Sequence, residues 1–347
     1  MVNIAGRVVG SGQPCFVIAE AGVNHNGHPD MAMELIRVAA EAGADAVKFQ
    51  TFSAERLVLP HAPKAKYQRT SSGDSESQLE MLRRLELPEA CYPDLIQHCR
   101  SSNILFLSAP FDEQSADFLD SLGIAAFKIP SGEITNLPFL EHVARKSKPM
   151  IVSTGMSDHK EVQQAVAAIE AAGNSQLVLL HCVSNYPASA ASANLHAMET
   201  LASAFKVPVG YSDHVEGIEV ALAAVALGAS VIEKHFTSDR NLAGPDHKAS
   251  AEPATLAALI QGIRKVESAL GDGRKVPAAS ESAIAAVARK SLVSSVGIPK
   301  GTVVTAAHIA IKRPGTGLPP AERSTIVGRR AKRDISAGIL LSHEMFE

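Results

Sequence analysis

Two histidines follow apolar runs that are consecutive in the chain. His214 ends PVGYSDH and His235 lies in VIEKHF, and the helical stretch between them closes at Gly228. Asp213 precedes the first histidine, and Glu233 lies two positions before the second. Imidazole together with oxygen ligands is a donor set that divalent ions such as Mn²⁺ accept. The pair therefore predicts a metal site with coordination positions open for water and substrate, where the ion would polarise a carbonyl group.

Further polar side chains end other apolar runs. Side chains on a strand alternate between two faces, so Lys48 shares a face with Gln50, and Ser212 shares one with His214. Buried charges are costly unless they are paired or bind a ligand. Two lysines with several hydroxyl and amide donors suit a small phosphate or carboxylate ligand. The candidates are Glu20, Lys48, Gln50, Lys128, Ser131, Glu133, Ser153, Thr154, His181, Ser184 and Ser212.

Each candidate also has a purely structural explanation. Lys48 could form an ion pair with Glu20 that plays no part in catalysis. Serines at strand ends often cap the following helix. His181, within LLHC, could be a hydrogen-bonded histidine of the protein interior. The residue types alone do not separate these explanations from a ligand site.

A regular alternation of elements would position these side chains. Apolar runs predict strands, and segments of helical periodicity follow them. The predicted strands are 15–22, 46–51, 105–110, 126–131, 150–155, 177–182, 208–213 and 231–236. The predicted helices are 30–43, 87–101, 112–123, 137–146, 160–173, 195–204, 218–228 and 253–270. Eight strand–helix units in about 270 residues predict an α/β fold, a (β/α)₈ TIM barrel.

The alternative fold is a doubly wound open sheet. Such sheets usually carry a GxGxxG phosphate loop after the first strand, and EAGVNHNG does not match it. A barrel would bring the carboxyl ends of all eight strands, and with them the candidate residues, to one face.

The pattern changes after Gly271. Residues 271–288 predict a linker or loose helix, and short β-like runs with turns follow from Arg289. We therefore predict a catalytic barrel over 1–270, a linker over 271–288 and a small β-rich domain over 289–347. About sixty residues hold little core, so docking onto the barrel or a partner subunit is expected.

Composition narrows the function classes. The 347 residues are 46% hydrophobic and 20% charged with a formal net charge of -3, so no basic excess points to nucleic acid. No apolar run approaches the ~20 residues of a membrane span. The N-terminus shows no apolar signal-peptide core, and the four cysteines form no CxxC pair. These features predict a cytoplasmic protein with reduced thiols.

The ordered motifs resemble a known family. The sequence is similar, over nearly its whole length, to the bacterial sialic acid synthases, which are phosphoenolpyruvate-dependent nonulosonate synthases. The motifs are IAEAGVNHNG (18–27), AVKFQTF (46–52), KIPSGEITNLP (128–138), STGMS (153–157), LLHCVSNYP (179–187), GYSDH (210–214), IEKHFT (232–237), GPDHKAS (244–250) and KRPGTG (312–317). The last lies in the small domain, which resembles the antifreeze-like (SAF) domain of that family.

The resemblance implies a reaction and residue roles. Phosphoenolpyruvate would condense with an N-acylated mannosamine-type sugar and release phosphate, with Mn²⁺ or Mg²⁺ bound by His214 and His235. The residues implied to hold phosphoenolpyruvate are Lys48, Lys128, Ser131, Ser153, Ser184 and Ser212. Those implied to line the sugar and metal side are Gln50, Glu133, Tyr186 and Asp246. The predicted catalytic residues are Glu20, as an acid–base or orienting group, with His214, His235 and Asp246.

The resemblance also implies a partner and a product. Arg313 of KRPGTG would reach the active site of another subunit and contact the sugar's acyl group, which predicts a domain-swapped homodimer. The preferred product is N-acetylneuraminate, made from N-acetylmannosamine. The alternative is N,N′-diacetyllegionaminate, made from 2,4-diacetamido-2,4,6-trideoxymannose.

Other function classes remain as hypotheses. A Schiff-base aldolase could use Lys128 or Lys48, but the paired histidines would then have no role. A metal-dependent hydrolase is disfavoured because no HxH motif ends the first strand. A non-catalytic sugar-binding module would leave the lysines unexplained. The polar segment 60–78 is either a lid over the site or a solvated surface loop.

Overall fold

The computed structural model describes residues 1–65, 69 and 76–347, which form two compact units, Met1–Gly271 and Asp272–Glu347. The first unit contains eight parallel strands in one sheet. They are β3 (Phe16–Gly22), β4 (Ala46–Thr51), β5 (Leu105–Pro110), β6 (Phe127–Ile129), β7 (Met150–Ser153), β8 (Leu177–Cys182), β9 (Val209–Asp213) and β10 (Val231–His235). The predicted lid segment 60–78 falls partly on residues 66–68 and 70–75, which lie outside the described residues.

The strand order is β5-β4-β3-β10-β9-β8-β7-β6. Its two end strands, β5 and β6, are consecutive in the chain and lie side by side, so the sheet curls into a nearly closed barrel. This confirms the predicted TIM barrel and shows that the open-sheet alternative is wrong. All carboxyl ends of the strands therefore meet at one face, as the position of the candidate residues requires.

Helices cover the outside of the barrel, except for two short ones, Ala54–Leu57 and Gln78–Leu85, which pack in a separate cluster with Val23 and Phe52. They are α1 (Pro29–Ala42), α2 (Ala54–Leu57), α3 (Gln78–Leu85), α4 (Tyr92–Ser101), α5 (Glu113–Ser121), α6 (Leu137–Ala144), α7 (His159–Ala171), α8 (Ala197–Phe205), α9 (Glu219–Ala226) and α10 (Pro253–Leu270). The first shows why they form: Pro29 has a backbone angle suited to a first turn, and Gly43 ends the helix with φ 86. Its buried face includes Leu35, Ile36 and Ala39.

Alternating side chains divide the apolar residues of the barrel into two layers. On β3, Val17, Ala19 and Ala21 belong to the large core between strands and helices. Phe16 and Ile18 point the other way and belong to a smaller cluster inside the barrel. This period of two is what fixes which strand-end residues face the barrel interior.

An N-terminal hairpin that the sequence did not predict contributes to that inner cluster. Its strands are β1 (Val2–Ile4) and β2 (Arg7–Val9), which pair antiparallel. Val2, Ile4 and Val9 are buried in the same cluster as Phe16 and Ile18, which lie at the amino-terminal part of β3. The hairpin therefore closes the barrel at the face opposite the strand carboxyl ends.

The second unit has its own small core. It contains α11 (Glu281–Ala288), the antiparallel pair β11 (Ser291–Ser294) and β12 (Ile309–Lys312), and the one-turn α12 (Arg323–Ile326). Its buried cluster includes Leu292, Ile298, Ile326, Ile335 and Phe346. No helix of the described ranges is long and apolar enough to cross a membrane.

Candidate active site

Strand register brings the predicted catalytic residues side by side. Glu20 at the end of β3 pairs with Lys48 of β4 on one side and with His235 of β10 on the other. Glu233 of β10 in turn pairs with Ser212 of β9. Four adjacent strands thus present their polar side chains at one end of the barrel.

At this end of the barrel, two lysines and two glutamates form a buried group that we call the lysine–glutamate cluster. Its members are Glu20, Lys48, Lys128 and Glu233. The Lys48 Nζ lies 2.8 Å from Glu20 Oε2 and 3.8 Å from Glu233 Oε2. Lys128 Nζ lies 3.3 Å from Glu233 Oε1, which also accepts a hydrogen bond of 2.9 Å from the Ser212 hydroxyl. Lys128 comes from β6, which does not adjoin β10, so Glu233 links the two lysines across the barrel interior.

The two carboxylates of this cluster have opposite acidities. Burial acts to raise the pKa of Glu233, but Lys128, Lys48 and Ser212 outweigh it and hold that pKa at about 2. Burial raises the pKa of Glu20 to about 7, against the attraction of Lys48 and with help from the negative charge of Glu233. The neighbouring cations therefore favour the carboxylate form of Glu233, whereas burial favours the protonated form of Glu20.

The two lysines also differ. Burial opposes the charge of Lys48, but Glu20 and Glu233 together raise its pKa. Burial lowers the pKa of Lys128, and Glu233 only partly offsets this. The positive charge of Lys128 is thus less well compensated by its neighbours than that of Lys48. An anion bound next to Lys128 would stabilise its ammonium form.

His214 and His235 lie next to the cluster, with ring centroids 5.5 Å apart. Burial lowers the pKa of both rings, so each is a neutral imidazole with a lone pair to offer. His214 Nδ1 donates a 2.6 Å hydrogen bond to the Val183 carbonyl, which leaves Nε2 as the free lone pair. His235 Nδ1 is buried without a hydrogen-bond partner.

These features fit a divalent ion held by two protein ligands. A fixed tautomer and an unsatisfied buried nitrogen are typical of metal-binding histidines. The described part of the chain contains no group of three His, Cys, Asp or Glu side chains arranged around one point. The metal site with two histidine ligands therefore stays a prediction.

Tyr186 covers the two imidazoles. Its ring centroid lies 4.2 Å from that of His214 and 5.5 Å from that of His235. The loop after β8 thus forms a wall beside the histidines.

Three predicted serines lie at the ends of β6, β7 and β8. The hydroxyls of Ser131 and Ser184 are 3.0 Å apart, and Ser153 is buried at the end of β7. Gly155 lies against them, because a Cβ at this position would come within 2.7 Å of both hydroxyl oxygens. Only glycine lets the loop approach this closely, which keeps the serines together.

The remaining predicted residues differ in how directly they join the site. The Gln50 amide donates to Glu20 Oε1 at 3.3 Å. Asp246 is buried, which raises its pKa to about 6 although Lys48 attracts its charge. Glu133 is half-buried and accepts from Asn136. Arg313 is exposed and follows β12 in the second unit, so its proposed contact with a sugar stays a prediction.

Glu233 is not among the site residues predicted from the sequence, although it contacts Lys48, Lys128 and Ser212 at the centre of the lysine–glutamate cluster. Its shared face with His235 was a usable signal. The same alternation explains why Asp213 and Lys234 do not join: they form a buried pair of 2.7 Å on the other face of β9 and β10. His181 Nε2 donates a 2.7 Å hydrogen bond to the Ala193 carbonyl, so it fits the structural explanation.

Comparison with known proteins follows the same division of the chain. Residues 35–275 match the NeuB family, and residues 289–347 match the SAF domain. An N,N′-diacetyllegionaminic acid synthase of Legionella pneumophila is 51% identical over 342 residues, which cover 97% of this chain and 96% of the relative. A protein of the same description from Campylobacter jejuni is 47% identical over 321 residues, covering 92% and 96%.

A solved structure shows the same architecture. The N-acetylneuraminic acid (sialic acid) synthetase of Leptospira borgpetersenii, in complex with citrate, superposes with a TM-score of 0.73 at 36% identity, covering 82% of this chain and 95% of that one. The barrel, the matched ranges and relatives of this identity over almost the full length lead to one conclusion: the chain belongs to the NeuB family.

Proposed function

We propose that this enzyme condenses phosphoenolpyruvate with 2,4-diacetamido-2,4,6-trideoxymannose to give N,N′-diacetyllegionaminate and phosphate. Its family membership makes it a phosphoenolpyruvate-dependent condensing enzyme. The observation that supports this particular sugar is the identity to two diacetyllegionaminic acid synthases, 51% and 47%, against 36% to the sialic acid synthetase. The preference for N-acetylneuraminate drawn from the sequence is thus the less well supported of the two, and it remains the second candidate.

Phosphoenolpyruvate would bind at the lysine side of the barrel mouth. Lys48 and Lys128 are buried cations that both lie near the Glu233 carboxylate. An anion that reaches them would gain two charge-assisted contacts. The adjacent hydroxyls of Ser131 and Ser184 and the buried hydroxyl of Ser153 would supply neutral donors for the remaining phosphate and carboxylate oxygens. Ser212 donates to Glu233 and would have to exchange this bond to contact the ligand. The partly uncompensated charge of Lys128 favours this ligand class.

The sugar would bind on the histidine side. Gln50 donates to Glu20, Tyr186 covers the two imidazoles, and the buried Asp246 carboxylate is attracted by Lys48. Glu133 follows β6 at the carboxyl end of that strand. Amide, phenol and carboxylate groups are suited to sugar hydroxyls and acetamido groups. Arg313 would add a contact to an acetamido group from another subunit of a homodimer.

His214 and His235 would hold Mn²⁺ or Mg²⁺, and the bound ion would polarise the aldehyde of the open-chain sugar. The chain's own residues orient the rest. The lysines hold phosphoenolpyruvate so that its C3 carbon faces the aldehyde carbon, and a C–C bond forms while positive charge develops at C2. The side chains of Glu20 and Glu233 are buried beside Lys48, so both would lie near a C2 carbon held by that lysine, where negative charge stabilises a cationic centre.

Water then completes the reaction. It adds to C2, and the C2–O bond to phosphate breaks, which leaves a ketone at C2 and inorganic phosphate. One proton of the water ends on the oxygen of the former aldehyde, which becomes a hydroxyl, and the other leaves with phosphate. Glu20, whose pKa is raised to about 7, is suited to carry such a proton at neutral pH, and Asp246, with a pKa of about 6, is a second candidate.

The test is a labelled-substrate assay. Phosphoenolpyruvate with ¹⁸O at the bridging position is incubated with the enzyme, Mn²⁺ and each sugar, and we expect the label in phosphate and a higher kcat/KM for the diacetamido sugar. Label retained in the sugar acid would contradict the C–O cleavage step. A higher kcat/KM for N-acetylmannosamine would replace the proposed product with N-acetylneuraminate.

A borohydride control separates the Schiff-base class. A lysine of lowered pKa such as Lys128 could form an imine in an aldolase, and reduction would then link substrate covalently to the chain. We expect no covalent adduct by mass spectrometry under turnover conditions. An adduct on Lys128 would show that the site works as an aldolase.

A further inference from the structure

Asp246 reaches the site from a loop rather than from a strand. It precedes the 3₁₀ turn His247–Ala249 in the segment after β10, and yet it is only 8% exposed. The segment rejoins the end of β10 only at Ala251, whose N–H donates a 2.8 Å hydrogen bond to the His235 carbonyl and whose carbonyl accepts one of 2.9 Å from Thr237. Asp246 lies five residues before this bridge, so other groups must fix its direction. The groups that do so lie in two different loops.

The hydroxyl of Ser250 is the first of these groups. It donates a 2.7 Å hydrogen bond to the Asp246 carbonyl, which closes the turn on itself. The same oxygen accepts a 2.9 Å hydrogen bond from the Asn24 amide. Ser250 is 3% exposed, so water does not replace either bond.

Asn24 connects this turn to the strand that carries His235. Its amide nitrogen also donates a 2.8 Å hydrogen bond to the carbonyl of Phe236, the residue directly after that histidine. Both amide hydrogens are therefore used, and the side chain is 1% exposed. One side chain from the loop after β3 thus joins the end of β10 to the loop of Asp246.

A separate contact anchors the other side of the turn. His247 Nδ1 lies 2.6 Å from the Thr237 hydroxyl, and its Nε2 lies 3.3 Å from Asn26 Oδ1. Because this contact does not pass through Ser250, the loop stays attached when the Asn24–Ser250 bond is removed. Loss of that bond should therefore change the direction of Asp246 without detaching the loop.

We propose that Asn24 and Ser250 are positioning residues that fix the Asp246 backbone relative to the end of β10, and thereby direct the Asp246 carboxylate in the part of the site that binds the sugar. This inference depends on the proposed function for its kinetic consequence. Its structural consequence, the position of one carboxylate, does not depend on any substrate. A misplacement of about 1 Å is enough to weaken a binding or catalytic contact strongly.

The experiment uses Ser250→Ala, Asn24→Ala and the double variant of the full-length protein. We expect the KM for the sugar to rise about tenfold in each single variant, with the KM for phosphoenolpyruvate within about twofold of wild type. The double variant should be no worse than Asn24→Ala, because both changes break the same chain of hydrogen bonds. Ser108→Ala is the matched control. This buried serine forms a hydrogen bond with Thr51 and takes no part in the hydrogen bonds among Asn24, Ser250 and Asp246, so the variant should leave both KM values unchanged.

Crystal structures of wild type and Ser250→Ala provide the second readout. We expect the Asp246 carboxylate to shift while His235 and the barrel strands superpose. An unmoved carboxylate, or an equal rise in both KM values, overturns the positioning role. If wild type releases no phosphate with either sugar, the proposed function fails, and the crystallographic comparison still decides the role of Ser250.

Discussion

The two ends of the barrel are built from the same strands but from opposite kinds of residue. On β10 the inward-facing positions change from Val231 to Glu233 and His235, and on β3 they change from Ile18 to Glu20. At the amino-terminal end the interior is filled by an apolar cluster and closed by the hairpin. At the carboxyl end it holds buried lysines, glutamates and histidines.

This difference shows how one scaffold separates stability from chemistry. The apolar end gains free energy from burial of hydrocarbon, about 25 cal/mol per Å². The polar end removes charges from water, which is costly even when they are paired. Inward-facing residues are two positions apart on a strand. A single step of this kind therefore leads from the apolar end of the barrel to the polar end.

The largest expected effect is at the polar end. His235→Ala should lower kcat by at least about 10³-fold, because a metal ion contributes several kcal/mol of charge stabilisation. It should also lower bound Mn²⁺, measured by elemental analysis of the purified protein, while circular dichroism stays unchanged. The matched control is His196→Ala, an exposed histidine on the segment before α8. An unchanged metal content would count against the ligand assignment.

The apolar end should respond in the opposite way. Ile151→Ala removes a fully buried side chain of the inner cluster, and we expect the free energy of unfolding to fall by about 3 kcal/mol. The kcat of the folded enzyme should stay within about twofold of wild type. Chemical denaturation and steady-state assays measure the two quantities. A large loss of kcat without a loss of stability would show that the two ends are not separable.

Two glutamates of one cluster should have opposite effects on stability. The pKa of Glu20 is raised from 4.5 to about 7, so the folded protein keeps a proton that the unfolded chain has lost in that window. The free energy of unfolding therefore falls as pH rises from 4.5 to 7, and Glu20→Gln, which imitates the protonated form, should be more stable above pH 7 by about 2 kcal/mol. The gain should vanish near pH 4.

Glu233→Gln is the control for that experiment. Its pKa is lowered from 4.5 to about 2, so its contribution is present above pH 4.5 and is lost as the pH falls towards 2. Removal of this charge leaves two buried lysines undercompensated and should destabilise the protein at neutral pH. Urea denaturation of metal-free protein at several pH values measures both variants. Equal signs for the two would contradict the assigned acidities.

The smallest expected effect is that of Arg313, which is predicted to add a contact to the polar end of the barrel in another subunit. Arg313→Ala should raise the KM for the sugar about tenfold and leave the fold intact, because it removes a single charge-assisted contact. A mixture with His235→Ala protein should recover part of the activity if the arginine acts on the site of another subunit. Unchanged activity in the mixture would argue against a homodimer with sites completed in trans.

The strands and their inward-facing residues were predictable because a period of two and a run of apolar residues are local properties. The strand predicted over 126–131 is shorter in the structure and ends at Ile129, since Pro130 cannot donate to the ladder and the chain turns at Ser131–Glu133. The hairpin was missed because its strands have three residues each, too few to show a period.

Long-range contacts set the limit for the site. The contact of Lys128 with Glu233 joins strands that are neither neighbours in the chain nor in the sheet, and no spacing reports it. The link from Asn24 to Ser250 spans 226 residues and depends on how two loops meet. The positions of the serines were predictable as strand ends, but their grouping against Gly155 was not.

The hairpin that closes the amino-terminal end has a consequence for how the protein is made. Val2, Ile4 and Val9 leave the ribosome long before Val231, which belongs to the same buried cluster. At about 5–20 residues per second, tens of seconds separate the two events. During that time the hairpin lacks part of the surface that it will cover, so its contacts with the barrel are complete only after the strand of Val231 has been made.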